Sequence, residues 1–503
     1  MDFLQLYKII IPELYIFGTL FLLFSYATIF STSKSYHYPM IQTNVGWLSI
    51  FSLFITFFLV INNPFTQKTV FNNLLMIDDF GTKFKACIII ASILILLMSK
   101  NYVENKKINS FEFYICILMS VLAMFLLVST YDLISLYLSI ELMTLSFYIL
   151  ATYKRFSEFS AEAGLKYFLL GAFSSGILLF GISLIYSTVG STSFPIIQLF
   201  LIGKNFNLEL SSNGLQTLDL GLFFIIVALL FKLAAAPFHM WAPDVYEGAP
   251  TPVTAFFSAV PKLAVLGVMI RMLYYFSELI YFWQYIIIFA SCLSLIIGSF
   301  GALYQKKIKR LMAYSGIANV GLILMGLAIN SFDSLVGVGF FIVVYIIMNL
   351  SFFSVILGNQ KLLDSKQITT LSDFTNFGKT NTVTAFSIIL VMFSMLGLPP
   401  FLGFFSKLFV FIAAVESNFI IISVIAILST VIAAFYYIRI IKIMFFDNSF
   451  HFIFFKKMDK LNAYVLSISI FFLTFGYSFT SPLVFALGRQ YLSLINIVAY
   501  PFF

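Results

Sequence analysis

Six side chains in this sequence have the type and placement for proton chemistry in an apolar setting: Glu141, Lys166, Lys232, His239, Lys262 and Lys407. Lys232 lies in "LLFKLAAAPFHMWAPD", with no Asp, Glu, Lys or Arg within ten residues on either side. Glu141 sits in "LISLYLSIELMTLSFYIL", Lys262 in "SAVPKLAVLGVMIRML" and Lys407 in "LGLPPFLGFFSKLFVF". A charge at the centre of a membrane helix costs about 2.5–3.5 kcal/mol on insertion scales, so each needs a reason. Desolvation drives lysine and glutamate alike toward neutrality, which lets such groups exchange protons near neutral pH. A Glu–Lys pair adds a switch: both stay charged while paired, and the lysine gives up its proton more readily once separated. His239 has a suitable pKa for the same path. The competing reading is structural, with the charges pairing, snorkelling or fixing helix register. It is most direct for Lys166, because "EAGLK" puts Glu162 one turn away at i,i+4.

The elements that must hold these groups are membrane helices. The 503 residues are 61% hydrophobic and only 10% charged, with a mean hydropathy of +1.02. A soluble chain of this length needs far more polar surface. Apolar runs read as about fourteen spans, at 10–30, 45–61, 84–98, 113–130, 131–151, 163–187, 218–238, 252–275, 283–303, 310–329, 335–357, 382–414, 418–440 and 461–484. The division of the fourth and fifth falls near Asp132, and the longest loop, 188–217, reads as polar.

The net charge of +8 sits in short loops rather than in a basic arm, which argues against nucleic acid. Loops after odd-numbered spans carry seventeen Lys and Arg, among them Lys34, Lys107, Arg155 and Lys366. The other side, with both termini, carries seven: Lys8, Lys68, Lys83, Lys85, Lys204, Arg271 and Arg489. That bias places the odd loops on the negative, synthesis side of the membrane. Cys87, Cys116 and Cys292 are far apart and form no CxxC or Cys/His cluster, so no metal or redox centre is expected. The N-terminus lacks the pattern of a cleavable signal peptide. Sixty-four Phe and 27 Tyr fit A/T-rich coding of the kind organelle genomes use.

Two spans carry breaks. Pro237 interrupts the seventh, and Gly397, Pro399, Pro400 and Gly403 interrupt the twelfth. Unsatisfied backbone at membrane depth is tolerated only where it faces protein or a watery cavity. Lysine precedes the break in the seventh span and follows it in the twelfth. The two spans are five apart, and an odd repeat length inverts the second copy, so this order is what inversion produces. The chain therefore divides into an N-terminal three-helix segment (1–112), a first five-helix repeat (113–275), a second (283–440), and a C-terminal helix and tail (441–503).

The blocks "FKLAAAPFHMWAPDVYEGAPTPVTAFFSAVPKLAVL", "EFSAEAGLKYFLLGAFSSGILLFG", "KIKRLMAYSGIANVGLIL" and "LGLPPFLGFFSKLFVF" resemble the proton-translocating antiporter-like subunits of respiratory complex I, in order and over nearly the whole chain. The resemblance implies an all-α polytopic membrane protein of about fourteen helices, with two inverted five-helix repeats and two discontinuous helices. It implies that Glu141 pairs with Lys232 of the broken seventh helix, that Lys262 is the central lysine of the eighth, and that Lys407 serves the outlet side. A lysine rather than glutamate in the twelfth helix departs from the family's subunit 4, and the lack of a long C-terminal lateral helix departs from its subunit 5. The expected partners are the other membrane-arm subunits, including a neighbouring antiporter-like subunit, and phospholipids such as cardiolipin, in a mitochondrial inner membrane. FMN, iron–sulfur clusters and ubiquinone are expected on other subunits, since there is no GxGxxG after a strand. A subunit of a multisubunit sodium/proton antiporter, a purely structural module and a plastid variant remain open alternatives.

Overall fold

The computed structural model describes residues 8–31, 38–63, 67–106, 111–154, 156–204, 212–362, 367–447, 454–480 and 488; the loop cations Lys34, Lys107, Arg155, Lys366 and Arg489 lie outside them. The described chain opens with α1 (Ile11–Ser31), α2 (Tyr38–Ile61), an antiparallel hairpin of β1 (Lys68–Val70) and β2 (Leu75–Ile77), and α3 (Asp79–Asn105). The stretch of the first repeat holds α4 (Glu112–Val128), α5 (Leu133–Ala151), α6 (Glu158–Val189), α7 (Phe194–Lys204), α8 (Ser212–Leu233), α9 (Trp241–Gly248) and α10 (Thr251–Tyr275). The stretch of the second holds α11 (Ile280–Leu303), α12 (Ile308–Ile329), α13 (Phe332–Gly358), α14 (Phe377–Thr380), α15 (Thr382–Leu396), α16 (Leu402–Glu416) and α17 (Ile420–Phe445), and α18 (Lys460–Phe475) follows.

Every predicted span has a helical counterpart. Twelve described helices are long and apolar enough to cross a membrane. The exceptions are α4, with 17 residues, and the twelfth span, which the break divides into α15 and α16. The fourth and fifth spans part at Asp132, as read from the sequence. Its carboxylate accepts from Ile134 N at 2.7 Å and from Thr192 Oγ1 at 2.8 Å, which caps α5 and ends α4.

Three expectations require correction. The 188–217 loop is not simply polar, because Phe194, Ile197 and Leu201 of α7 are buried. Lys85 and Arg271 are not loop charges. Lys85 is 3% and Arg271 1% exposed, each held by a buried carboxylate, Glu13 and Asp78 respectively. Both lie within a turn or two of a helix end, where apolar-run counting assigns a charge to the neighbouring loop.

Burial orders the bundle. The helix carrying Lys262, α10, is enclosed along its whole apolar window, and α12 and α13 nearly so. In contrast, α1 and α18 leave two thirds or more of theirs uncovered, with Phe17, Phe21 and Phe471 facing outward. The lysine-bearing helix thus sits at the centre, and the periphery offers the apolar surface that lipid requires.

Candidate functional site

The two breaks are built alike. In the first, Ala234 takes a left-handed φ of 58°, its N–H reaches Phe231 O, and the next N–H, of Ala235, reaches back to Leu230 O at 3.0 Å. In the second, Gly397 has φ 87°, its N–H reaches Ser394 O, and Leu398 N reaches Phe393 O at 3.1 Å. Both are Schellman stops, in which a left-handed residue closes the last turn on its own carbonyls. A cis proline follows at the same offset in each, Ala236–Pro237 and Pro399–Pro400. The helix of the seventh span therefore ends at Leu233, before Pro237 rather than at it.

Side chains occupy the carbonyls the breaks leave. Trp241 Nε1 donates to Phe231 O at 2.9 Å, and the indole stacks on Tyr167 with centroids 4.7 Å apart. Lys407 Nζ donates to Met395 O at 2.7 Å and Leu396 O at 3.0 Å, which sets a cation on the C-terminal end of α15. That end carries the negative pole of the helix dipole, so the position favours an ammonium. The close approach of α16 depends on Gly403, where a Cβ would lie 1.9 Å from Ser394 O.

Lys232 is placed differently. It sits in the last turn of α8, 8% exposed, its Nζ buried with no hydrogen-bond partner among the described residues. Glu141 is the carboxylate whose field reaches it. The two are not in ion-pair contact, and Glu141 Oε1 is also buried and unpartnered. Lys232 and Lys262 line one narrow cavity of about 10 Å³, together with Tyr167, Trp241, Tyr246 and Pro261. That volume is close to the threshold for a single water molecule. Lys262 itself donates to Tyr345 Oη at 2.9 Å.

Lys166 and His239 stand apart from this line. The Lys166 side chain is 43% exposed and bridges Glu162 at 2.7 Å and Asp244 at 2.8 Å. The predicted i,i+4 pair therefore forms, and Asp244 of α9 joins it. Arg310 reaches the other oxygen of Asp244 at 2.6 Å, and Glu247 pairs with Lys307 and Arg310. This cluster rims a cavity of about 300 Å³ at the end of the bundle that carries the basic loops. Burial pushes the Asp244 carboxyl up, but Lys166 and Arg310 outweigh it and hold it below the ordinary value. His239 is buried in the segment joining α8 to α9, five residues before Asp244 in the chain.

Sequence reasoning missed Glu13 and Asp78 as buried partners, Asp244, Glu247 and Arg310 as a cluster, and Tyr345. The signal for Arg271 was available, since it too is a cation in an apolar run, "VMIRML". No local pattern marks Tyr345 among 27 tyrosines.

A bundle with two matching helix breaks, a lysine at each and a third on the enclosed helix between them is the architecture of antiporter-like membrane subunits. The transmembrane family described as NADH:quinone oxidoreductase/Mrp antiporter matches residues 130–433. Over 98% of its length the chain is 40% identical to NADH-ubiquinone oxidoreductase chain 2 of Marchantia polymorpha, covering 99% of that protein. It is 39% identical to NADH-quinone oxidoreductase subunit N of Parvibaculum lavamentivorans over 88% of this chain and 90% of that one. Among solved structures, a chain of respiratory complex I from Thermus thermophilus superposes with a TM-score of 0.74 at 25% identity, covering 93% of this chain and 99% of that one. The chain belongs to the NADH:quinone oxidoreductase/Mrp antiporter family, in the branch that holds chain 2 and subunit N of NADH:quinone oxidoreductases. It is a membrane-arm, antiporter-like subunit of an enzyme complex.

Proposed function

We propose that this chain moves protons, driven by quinone reduction elsewhere in its complex, through a relay of Glu141, Lys166, Lys232, His239, Lys262 and Lys407. The observation that carries the reading is the cavity shared by Lys232 and Lys262. Two buried ammonium groups are brought to one water-sized space in the middle of the bundle, and the first has no acceptor among the described residues. A packing role would call for partners in contact. Glu141, near but not touching, acts on the Lys232 charge without fixing it there, which supports a Glu–Lys switch in its separated state. The Lys166–Asp244–Arg310 cluster lies at the basic-loop end, where protons enter from the negative side, and His239 joins the path from the buried segment between Lys232 and Asp244 in the chain. Lys407 ends the line on the dipole of α15. Redox groups (FMN, iron–sulfur clusters and ubiquinone) reside in other subunits, and the setting is a mitochondrial inner membrane, with neighbouring antiporter-like subunits and cardiolipin as partners.

Lys232→Met keeps the volume and removes the charge. Coupled NADH:quinone turnover and proton pumping are measured in membranes in which the assembled complex has been quantified. The relay requires both to fall together in assembled complex; unchanged rates would reduce Lys232 to a structural residue and end the reading.

A further inference from the structure

Resting on the relay just described, we infer that Tyr345 is the group that carries the proton off Lys262 into the second repeat. Lys262 belongs to α10 of the first repeat and Tyr345 to α13 of the second, so their 2.9 Å hydrogen bond spans the junction between the two. Both residues are buried, 5% and 4% exposed, and the hydroxyl is the one hydrogen-bond partner of Lys262 Nζ among the described residues. A third helix keeps room for the pair. A Cβ at Gly316 of α12 would lie 3.0 Å from Tyr345 Oη and 3.1 Å from Lys262 Nζ.

Polar groups continue beyond the hydroxyl. Asn349 lies one turn further along α13, 3% exposed, with its Nδ2 buried and without a hydrogen-bond partner among the described residues. Residues at i and i+4 share a helix face, so Asn349 extends the same line. Internal waters bond to otherwise unsatisfied buried polar groups of this kind. Tyr437 of α17, with Ser315 and Asn319 of α12 beside it, faces the same region. On another face α13 packs against α16, which carries Lys407, with Phe340 and Phe409 edge to face at 5.6 Å.

The transfer needs no ionised tyrosine at rest. The Lys262 ammonium delivers a proton to the Tyr345 oxygen as the tyrosine's own O–H proton passes to the next acceptor, a water held by Asn349. One proton leaves Nζ, one reaches the water, and the tyrosine is unchanged.

The test uses the whole complex in its membrane, with assembly quantified first and Lys262→Met run in parallel. Tyr345→Phe deletes only the hydroxyl. It is expected to assemble and to lose at least about a hundredfold in coupled turnover and pumping, the lower end of the range for a positioned proton-transfer group. Tyr345→His, which can both accept and donate, recovers part of the rate, which a merely space-filling hydroxyl does not explain. Gly316→Ala, whose methyl crowds both ends of the hydrogen bond while keeping both groups, lowers pumping in the same direction as Tyr345→Phe. Wild-type pumping in Tyr345→Phe beside an inactive Lys262→Met overturns the role of Tyr345 and leaves the relay standing. Wild-type pumping in Lys262→Met overturns the relay itself. Failure of both Tyr345 variants to assemble makes the hydroxyl structural and also overturns the inference.

Discussion

Tyr246 donates its hydroxyl to the carbonyl of Phe257 at 3.1 Å, the carbonyl that Pro261 leaves without a backbone donor. Proline lacks an N–H, so in a helix the oxygen four residues earlier goes unpaired. In α10 that oxygen lies one turn from Lys262, deep in the bundle. Tyr246 stands on α9, the short helix after the first break, so the break and the central lysine helix are tied by one side chain.

Tyr246→Phe should therefore leave a buried acceptor unsatisfied, at a cost of about 1–3 kcal/mol. The expected result is a lower thermal midpoint for the assembled complex and slower turnover. An unchanged midpoint would show that another donor takes over the Phe257 carbonyl.

The pair between Arg271 and Asp78 should prove costly to halve and cheap to remove whole. Arg271 Nη2 contacts both oxygens of Asp78 at 2.7 and 2.8 Å, and Asp78 also caps α3 through Gly81 N. Breaking a buried pair from one side costs about 3–5 kcal/mol, whereas replacing both charges is often neutral. Arg271→Met alone should deplete the assembled complex on native gels. Asp78→Asn with Arg271→Met, which keeps a capping side chain, should restore it.

Two glycine substitutions should part company. Gly403→Ala places a carbon 1.9 Å from the Ser394 carbonyl and should abolish assembly, since neither backbone can retreat from the break. Gly176→Ala in α6 meets nothing within 4 Å. It should assemble normally and gain up to about 1 kcal/mol of helix stability. Comparable losses in both would remove the close approach of α16 to α15 as the cause.

Asp244 gives the basic-loop end a defined pH response. Its folded carboxyl is held below the ordinary value of 3.8. The contribution of its contacts with Lys166 and Arg310 is therefore complete above that value, and disappears as pH falls through the lower folded one. Asp244→Asn should lower the thermal midpoint at neutral pH. The gap to wild type should close only once pH drops below the ordinary carboxylate range. A gap that closes between pH 7 and 5 would assign the effect to another group.

The span series, the two interruptions and the four deep charges Glu141, Lys232, Lys262 and Lys407 were determined by the sequence alone. Long apolar stretches have few conformations open to them in lipid, and a charge or Pro–Pro within one is conspicuous for its cost. Asp132 as the boundary of α4 and α5 was legible for a similar reason, being a capping residue between two apolar runs. Tertiary structure alone decided which of these groups meet. Lys232 and Lys262 share a cavity because α8 stops at Leu233 and Trp241 folds back over its end. Lys85 and Arg271 find Glu13 and Asp78 at separations of 72 and 193 residues, and Tyr345 reaches Lys262 across 83. Sequence spacing constrains neighbours within a helix, but contacts between helices depend on how their faces turn toward one another, which packing settles.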